Sequence, residues 1–435
     1  MLSAVAAKLA RYRANDRLTP DQIRDANRHR FREMVRFVSE RSPYYRRLIE
    51  THGLDIERCT PEDFPPLTKA LLITHFDDIV TDPQLTTSRL REFVSRARPG
   101  TLFADRYFVM HSSGTSGRHA LFAVSQEEFL GALTIGYRFR RTGKPRRSVA
   151  ILPKDAHYPS TTMARALEPL SGSTFLSTTS SLTDIVGALN EIQPDFLSSY
   201  AGVASRLAHE QRAGRLAIAP AEFQVGGEVL YPERRREIEA VFGSTVIDVY
   251  ASCECLLMGW QSSAMPTMRL LEDDLIFEIH DGFLYCTNLF NRTLPLIRYR
   301  LNDHIMLHQN GTSSEVEKIK GRAETPVVLV NSFGEPAEMP PMLPYTLIGA
   351  LIVDDRVDGI QLALLSDQAL ECRVVLTDGG RRQEQETLQW IVDRVRGLIK
   401  GLGFQIQSVT AQAVEAIPPT AAGKTPALLD LRPRA

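Results

Sequence analysis

The spacing of hydrophobic residues changes along this 435-residue chain, and each spacing predicts a different kind of element. Residues 19–50 carry apolar side chains at roughly helical intervals after a Thr-Pro-Asp-Gln start signal, which predicts helices. From about residue 108, short apolar runs alternate with longer amphipathic stretches. This alternation predicts strands at 108–110, 148–153, 196–200 and 223–227, and helices at 126–140, 182–193, 202–214 and 232–242. Such an order indicates βαβ units and a largely parallel sheet, whose ligands bind at the carboxyl ends of the strands.

The pattern changes beyond residue 275. The runs 275–280 and 283–288 flank Asp281-Gly282, which predicts a β-hairpin within a β subdomain. Further along, the chain returns to a mixed pattern, with strands expected near 327–330, 359–365 and 372–377 and a helix at 383–400.

The length supports a division into two domains, because a single hydrophobic core stops growing at roughly 250–300 residues. We expect a large multi-layer α/β domain at 1–321, with mostly parallel sheets, a β subdomain and a helical layer at about 1–70. A small α+β domain is expected at 322–435. The predicted fold class is therefore α/β.

Composition and charge exclude several classes of protein. The 51 Lys and Arg residues nearly balance the 52 Asp and Glu residues, and a net charge of −1 provides no basic field for nucleic acid. No apolar run approaches the roughly 18 residues of a membrane span. The five cysteines form no CxxC pair, and Cys253-x-Cys255 lacks a matching Cys/His partner for zinc. We expect reduced thiols and a soluble, cytoplasmic protein.

A loop rich in serine and glycine, His-Ser-Ser-Gly-Thr-Ser-Gly-Arg at 111–118, directly follows an apolar run. Glycines let backbone amides turn inward, and hydroxyl groups add hydrogen-bond donors that can surround a phosphate. The loop is not a Walker A motif. On composition alone, an ordinary surface turn explains it better.

Other segments follow this loop in a definite order: VGGE at 225–228, IDVYASCE at 247–254, LIRYRLND at 296–303, IKGR at 319–322 and AGK at 422–424. Together they resemble the motifs of the adenylate-forming superfamily, and most of all its phenylacetate-CoA ligase branch. The resemblance spans most of the chain, from Ser42 to Lys424. It is far more specific than the Ser/Gly loop alone.

The resemblance implies a ligase that activates a carboxylic acid with ATP and Mg²⁺, releases pyrophosphate, and passes the acyl group to CoA. It suits a biosynthetic enzyme, allows a homodimer, and makes the small domain a lid. It assigns nucleotide binding to Ser112, Ser113, Gly114, Thr115, Ser116, Gly117, Arg118, Gly227, Glu228, Asp248, Tyr250, Ala251 and Asp303. Within that set, residues 112–117 would wrap the phosphates, Gly227 and Glu228 would border the adenine, and Asp303 would bind the ribose.

The same resemblance assigns catalytic roles to Glu254, Arg322 and Lys424. Glu254 would hold Mg²⁺, which prefers oxygen ligands and needs few protein groups. Arg322 would reach the nucleotide from the hinge. Lys424 would neutralise the charge that builds up as the carboxylate attacks the α-phosphate. Lysine is scarce here, with eight lysines against 43 arginines, so a lysine falls within a motif by chance less often.

Several positions depart from the family pattern. Ala251 and Cys253 replace a glycine and a hydroxyl residue, Ala323-Glu324-Thr325 replaces an Asp pair, and Val330-Asn331 replaces an Arg-Gly pair that lines the pantetheine path. Two alternatives therefore stay open: an amide-forming ligase with an amine acceptor, and a degenerate module that binds nucleotide or acyl ligand without turnover.

The acid itself is not identified by the sequence. The aromatic residues Tyr137, Phe139, Tyr158 and Tyr200 suggest an aryl or medium-sized acid. His111 and His157 lie in segments that can approach the acyl pocket, although a lone histidine is more often a satisfied structural residue.

Overall fold

The chain is described by a computed structural model over residues 2–112, 119–138, 147–153, 157–307, 315–322, 328–331, 333–338, 343–352, 354–418 and 425–432. Its helices and strands alternate through the first half of the chain and confirm the α/β class. No helix among these residues is long and apolar enough to cross a membrane.

The N-terminal part is helical, with α1 (Leu2–Asn15), α2 (Pro20–Arg41), α3 (Pro43–His52), α4 (Lys69–Ile79) and α5 (Thr87–Arg96). Helix α2 begins at Pro20 because Thr19 and Gln22 form a capping box: each side chain accepts the backbone N–H of the other residue. The buried face of α2 packs through Phe31 and Met34 into the largest hydrophobic core. Residues of the sheet described next belong to the same core.

Strands and helices then alternate: β1 (Tyr107–His111), β2 (Leu121–Ser125), α6 (Gln126–Leu133), β3 (Ser148–Leu152), α7 (Pro159–Ser171), β4 (Thr174–Ser177), α8 (Leu182–Ile192), β5 (Phe196–Ser199), α9 (Ala201–Arg212), β6 (Glu222–Gly226), α10 (Pro232–Phe242) and β7 (Thr245–Ser252). Strands β1 and β2 form an antiparallel hairpin. Strands β4, β3, β5, β6 and β7 pair in that order and are parallel, as the βαβ pattern predicted. Their carboxyl ends therefore share one edge of the sheet.

The sheet continues in antiparallel fashion through β8 (Leu256–Ser262), β9 (Met268–Leu270), β10 (Leu275–His280), β11 (Phe283–Asn288), β12 (Tyr299–Leu307) and β13 (Glu315–Arg322). Over the described residues it has eleven strands, in the order β10-β11-β12-β13-β9-β8-β7-β6-β5-β3-β4. The predicted hairpin is β10–β11, and Asp281 and Gly282 adopt the positive φ values, 53° and 77°, of its two-residue turn. The hairpin extends the main sheet.

Helix α6 is shorter than the predicted helix at 126–140. It ends at Leu133, and a 3₁₀ turn, Thr134–Arg138, follows. The hydroxyl of Thr134 donates to the carbonyl of Leu130 at 2.9 Å, a back-bond that weakens the regular helical pattern. The apolar periodicity continues through the turn, which explains why the sequence predicted a longer helix.

The C-terminal part contains β14 (Val328–Asn331), β15 (Pro336–Glu338), α11 (Leu343–Leu351), β16 (Val357–Ser366), β17 (Ala369–Leu376), α12 (Asp378–Arg382), α13 (Glu384–Gly401), β18 (Phe404–Gln405), β19 (Ser408–Ala413) and β20 (Leu428–Asp430). Its strands form the sheets β15-β14-β18 and β19-β17-β16-β20. Its buried side chains form a core of their own. The division into domains at 321/322 remains a prediction.

A charged cluster holds α1 to the main sheet. The carboxylate of Asp274, just before β10, is 4% exposed. It forms ion pairs with Lys8, Arg11 and Arg30 and accepts a hydrogen bond from the Tyr12 hydroxyl. Burial alone raises the pKa of this carboxyl, but the three cations and the hydroxyl outweigh it and hold the pKa well below its usual range.

Candidate active site

Two predicted site residues, Tyr250 and Asp303, meet at the carboxyl end of β7. The Tyr250 hydroxyl donates to Oδ2 of Asp303 at 2.7 Å, and both residues are buried. Asp303 lies on β12, so the bond joins two strands that are not neighbours in the sheet. In the pairing of β12 with β13, the backbone of Arg322 lies directly opposite Asp303. The sheet therefore brings the predicted ribose-binding carboxylate and the predicted hinge together.

Glu254 lies in the turn between β7 and β8, and its side chain faces β12. The carboxylate is buried, and its Oε1 accepts a bond from the Tyr299 hydroxyl at 3.4 Å. The Asn288 amide fixes the backbone carbonyl of Glu254 at 3.1 Å. The Glu254 carboxylate offers only oxygen ligands, and the Asn288 bond holds its backbone in place. Such a group suits Mg²⁺, which takes one or two carboxylates and completes its shell with phosphate oxygens and water. Tyr299 belongs to the RYR motif, yet its role as the partner of Glu254 was not predicted.

The predicted phosphate loop joins β1 to β2. Ser112 forms three bonds that close its base: its backbone N–H donates to the Ala120 carbonyl, its hydroxyl accepts the Ala120 N–H, and its carbonyl accepts from the His119 ring. Ser113, Gly114, Thr115, Ser116, Gly117 and Arg118 lie outside the described residues. The loop is therefore held at both ends by a hairpin, whose second strand the sequence analysis missed.

Cys253 bridges the β7–β8 turn to this hairpin. Its thiol donates to the carbonyl of His111 at 3.8 Å. Cys253 therefore makes a structural contact, although the family pattern has a hydroxyl residue at this position. Ala251 is exposed and lies at an irregularity in the pairing of β7 with β8, which gives the backbone there a local bulge.

The two histidines considered for the acyl pocket have different surroundings. Both ring nitrogens of His157 are engaged by backbone carbonyls, those of Val109 at 3.2 Å and Ala97 at 3.0 Å, so this histidine braces β1. The ring of His111 contacts the ring of Tyr158, with centroids 5.0 Å apart. Burial lowers the pKa of His111, which favours the neutral imidazole at pH 7.

Tyr158 packs against His111 at the end of β1, and Tyr158 and Tyr200 are both buried. The Tyr200 hydroxyl is 2.9 Å from the hydroxyl of Ser160, at the start of α7. Burial raises the pKa of both tyrosines. Ser160 was not predicted. The side chain of Tyr137 and all of Phe139 lie outside what the structure describes.

Glu228 follows β6 in a turn in which Gly227 adopts a φ of +75°. Its carboxylate accepts two backbone N–H bonds, from Gly202 at 2.7 Å and from Thr425 at 2.5 Å. Thr425 directly follows Lys424 in the chain, and Lys424 itself lies outside the described residues. Neither Gly202 nor Thr425 was predicted as a site residue.

The side chain of Asp248, one of the predicted site residues, points toward helix α10. Its Oδ2 lies 3.5 Å from the Arg235 guanidinium of α10, which also donates to Gln261. Burial raises the pKa of Asp248 to about 7, and Arg235 offsets only part of that effect. This placement favours a structural role under α10.

The Asp248→Asn substitution should therefore change how stability depends on pH. The folded-state pKa of about 7 lies above the ordinary aspartate value, so the free energy of unfolding should fall as pH rises through the interval between them. We expect the variant to lose this decline and to be more stable than the parent at pH 8, by on the order of 2 kcal/mol. Urea unfolding from pH 4.5 to 8 measures this, and parallel curves for the two proteins would contradict it.

If Asp303 binds the ribose of ATP, as the sequence resemblance implies, the Tyr250→Phe substitution should weaken ATP binding while leaving the fold intact. It removes one donor from the buried Asp303 carboxylate, and a bond to a charged group contributes about 1.5–3 kcal/mol. We expect the KM for ATP to rise about 10-fold and kcat to change little. Tyr107→Phe is the matched control, because Tyr107 donates to Asp82 at 2.6 Å in another part of the core. An equal KM effect from both substitutions would show that Tyr250 has no special role.

No family model matches the chain, and no curated protein matches it. Solved structures do. The chain aligns with 2-hydroxyisobutyryl-CoA ligase in the postadenylation state at a TM-score of 0.71 and 16% identity, over 93% of this chain and 89% of that one. It also aligns with the amide bond synthetase McbA from Marinactinospora thermotolerans at a TM-score of 0.51 and 15% identity, over 73% and 67% of the two chains. The chain has the fold of adenylate-forming enzymes, which confirms the fold implied by the sequence resemblance.

The same CoA ligase also matches in a second state. In complex with 2-HIB-AMP and CoA in the thioesterification state, it aligns at a TM-score of 0.55 and 17% identity, over 94% of this chain and 89% of that one. The aligned shares are nearly the same as for the postadenylation state, and the TM-score is lower.

Proposed function

We propose that the protein is an ATP-dependent ligase that converts a carboxylic acid to an acyl-adenylate and then transfers the acyl group to a nucleophile. The bond from Thr425 to Glu228 carries this proposal. It holds the C-terminal segment, one residue after Lys424, against the turn beyond β6. That turn lies at the same edge of the sheet as Tyr250 and Glu254. This contact supports the proposal that Lys424 acts at the same site as the nucleotide-binding residues.

Each group has a role set by the chemistry of joining two anions. An oxygen of the substrate carboxylate attacks the α-phosphorus of ATP, and pyrophosphate leaves with the electron pair of the broken P–O bond. Lys424 neutralises charge on the carboxylate and the α-phosphate as the new bond forms. Residues 112–118 bind the phosphates, and Asp303, held by Tyr250, accepts hydrogen bonds from the ribose. Glu254 would hold Mg²⁺, which would supply positive charge to the phosphate oxygens.

Three further residues complete the proposed assignment. Arg322 would reach the nucleotide from the strand opposite Asp303, which the pairing of β12 with β13 supports. Gly227 and Glu228 would border the adenine. Because the Glu228 carboxylate is engaged by backbone N–H groups, its contribution beside the base would come from its backbone.

The acid is proposed to be aryl or medium-sized, as in the phenylacetate-CoA ligase branch. Two buried tyrosines, Tyr158 and Tyr200, support an aromatic wall beside the phosphate-loop hairpin. The hydrogen-bonded hydroxyl groups of Tyr200 and Ser160 add one polar site to this aromatic wall.

CoA is the acceptor that the resemblance implies, and an amine is the second candidate. The β14–β15 hairpin favours the amine, because Val330-Asn331 stands where the family pattern has an Arg-Gly pair. The side-chain oxygen of Asn331 is used within the turn, where it accepts the N–H groups of Phe333 and Glu335 at 2.9 Å each. Phe333 at the tip is 88% exposed. These described residues present no cation to the phosphates of CoA.

A pyrophosphate-exchange assay tests the proposal. The panel would contain benzoate, 4-hydroxybenzoate, phenylacetate and hexanoate, each with ATP and Mg²⁺. We expect acid-dependent exchange of labelled pyrophosphate into ATP with at least one acid. Product masses with CoA and with small amines then separate thioester from amide formation. ATP binding without exchange for any acid would instead support the non-catalytic alternative.

A further inference from the structure

One carboxylate, that of Glu228, joins three segments that are far apart in sequence. It lies in the turn after β6, its Oε2 accepts the N–H of Gly202 at 2.7 Å, and its Oε1 accepts the N–H of Thr425 at 2.5 Å. The last of these bonds spans 197 residues. Bonds from backbone N–H to an ionised carboxylate are about twice as strong as neutral ones.

The bond to Gly202 fixes the carboxylate at the first turn of α9. Tyr200 precedes this helix and provides no side-chain cap, so the early N–H groups need another acceptor. Glu228 supplies it from outside the helix. Gly202 has little room for a side chain, since an added Cβ would lie 3.3 Å from both Oε2 of Glu228 and Oγ1 of Thr425. The junction is therefore packed closely on all three sides.

The bond to Thr425 ties this junction to the C-terminal part. Beyond Thr425 the chain enters β20, which pairs in parallel with β16. The side chain of Gln361 on β16 donates to the carbonyl of Pro426 at 3.1 Å, and the Leu362 N–H donates to Ala427. Thr425 therefore directly precedes residues that are bonded to the C-terminal sheet.

A second contact between the two parts lies on α10. The Arg234 guanidinium donates to the carbonyls of Val357 and Asp358 and pairs with the carboxylate of Glu237 at 2.6 Å. This contact holds the start of β16, whereas Glu228 holds the segment beside Lys424. The two contacts have different roles, because only the Glu228 bond fixes the backbone next to the proposed catalytic lysine.

We propose that Glu228 is a positioning residue for adenylation. Its carboxylate fixes Thr425, and thereby the backbone adjoining Lys424, at the N-terminus of α9. Loss of this bond frees the segment that carries Lys424 and slows the step that needs the lysine. Transfer of an acyl group from a finished adenylate does not need the bond. This inference rests on the proposed function for the role of Lys424, but the bond itself can be tested without any substrate.

Hydrogen–deuterium exchange of the full-length protein tests the bond directly. In Glu228→Ala, the Thr425 amide should exchange at least about 10-fold faster than in the parent protein, because its acceptor is gone. The amide of Leu362 on β16 should keep its protection. Glu233→Gln is the matched control, since Glu233 lies nearby on α10 and pairs with Arg236. Unchanged protection of Thr425 in Glu228→Ala would overturn the proposal.

The two half-reactions supply the functional readout. Using the panel acid with the fastest pyrophosphate exchange, we expect Glu228→Ala and Glu228→Gln to lower the exchange rate by about 10- to 100-fold. Acyl transfer from the same acid supplied as its synthetic adenylate, at a saturating concentration, should fall by a clearly smaller factor than the exchange rate. Gly202→Ala keeps the carboxylate but crowds the junction, and should reduce exchange in the same selective way.

The outcomes separate this inference from the function on which it rests. If the parent protein exchanges pyrophosphate with no acid, the proposed function fails, while the exchange of the Thr425 amide still decides whether Glu228 holds the segment. If the parent is active and Glu228→Ala is equally active, the positioning role is wrong. Equal losses in both half-reactions would also overturn it, because they would indicate general damage to the fold.

Discussion

Replacing Lys424 by alanine should lower the rate of acyl-adenylate formation by about 100- to 1,000-fold. The reaction brings a carboxylate to a phosphate, and the ammonium group offsets the charge that develops on both. Transfer of a supplied acyl-adenylate to its acceptor should be much less affected, because the phosphoanhydride has already been broken. Pyrophosphate exchange and single-turnover acyl transfer measure the two steps separately.

Two further variants sharpen this result. Lys400→Ala removes an exposed lysine at the end of α13 and should leave both steps unchanged. Lys424→Arg keeps the charge on a broader, planar group and should recover only part of the rate. If Lys424→Ala exchanged pyrophosphate as fast as the parent, the assignment of the C-terminal motif would be wrong.

Replacing Asp274 by asparagine should lower the free energy of unfolding by about 3 kcal/mol. The buried carboxylate neutralises Lys8, Arg11 and Arg30, and its removal leaves these cations crowded together without their counter-charge. The loss should be largest near neutral pH. Because the pKa of Asp274 is held below its unfolded-state value, the stabilisation is present above about pH 4 and disappears as pH falls through the folded-state pKa.

Urea unfolding at pH 7.5 and pH 3 measures this effect, because the stabilisation begins to be lost only below about pH 4. Asp21→Asn is the control, since Asp21 forms a largely exposed pair with Arg24 on α2 and should change stability by less than about 0.5 kcal/mol. Equal stability of the parent and Asp274→Asn at pH 7.5 would mean that the cluster contributes nothing net.

Local signals predicted much of the fold. The hairpin β10–β11 follows from Asp281-Gly282, whose positive φ values match its turn, and the strands β5 and β6 follow from short apolar runs between amphipathic helices. The start of α2 follows from Thr19 and Gln22. Such features are encoded within a few residues of each other, so one sequence is enough to identify them.

Contacts between distant segments were not predictable in this way. The bond from Tyr250 to Asp303 spans 53 residues, and the bond from Thr425 to Glu228 spans 197. The sequence marked Glu228 as part of a nucleotide motif but gave no sign that its carboxylate binds the C-terminal segment. Asp248 sits in the motif of Tyr250 and Glu254, yet it pairs with Arg235, because α10 covers that point of the sheet.

In the proposed reaction, a carboxylate oxygen of the substrate bonds to the α-phosphorus of ATP. Its most direct test uses the panel acid with the fastest exchange, labelled with ¹⁸O in the carboxyl group, in a full reaction with ATP and the acceptor. When the acyl group is transferred, the bridging oxygen stays with the phosphate, so mass spectrometry should find one ¹⁸O atom in AMP. Label in inorganic phosphate would indicate an acyl-phosphate route, and unlabelled AMP would exclude an acyl-adenylate. Either result would contradict the proposed adenylation.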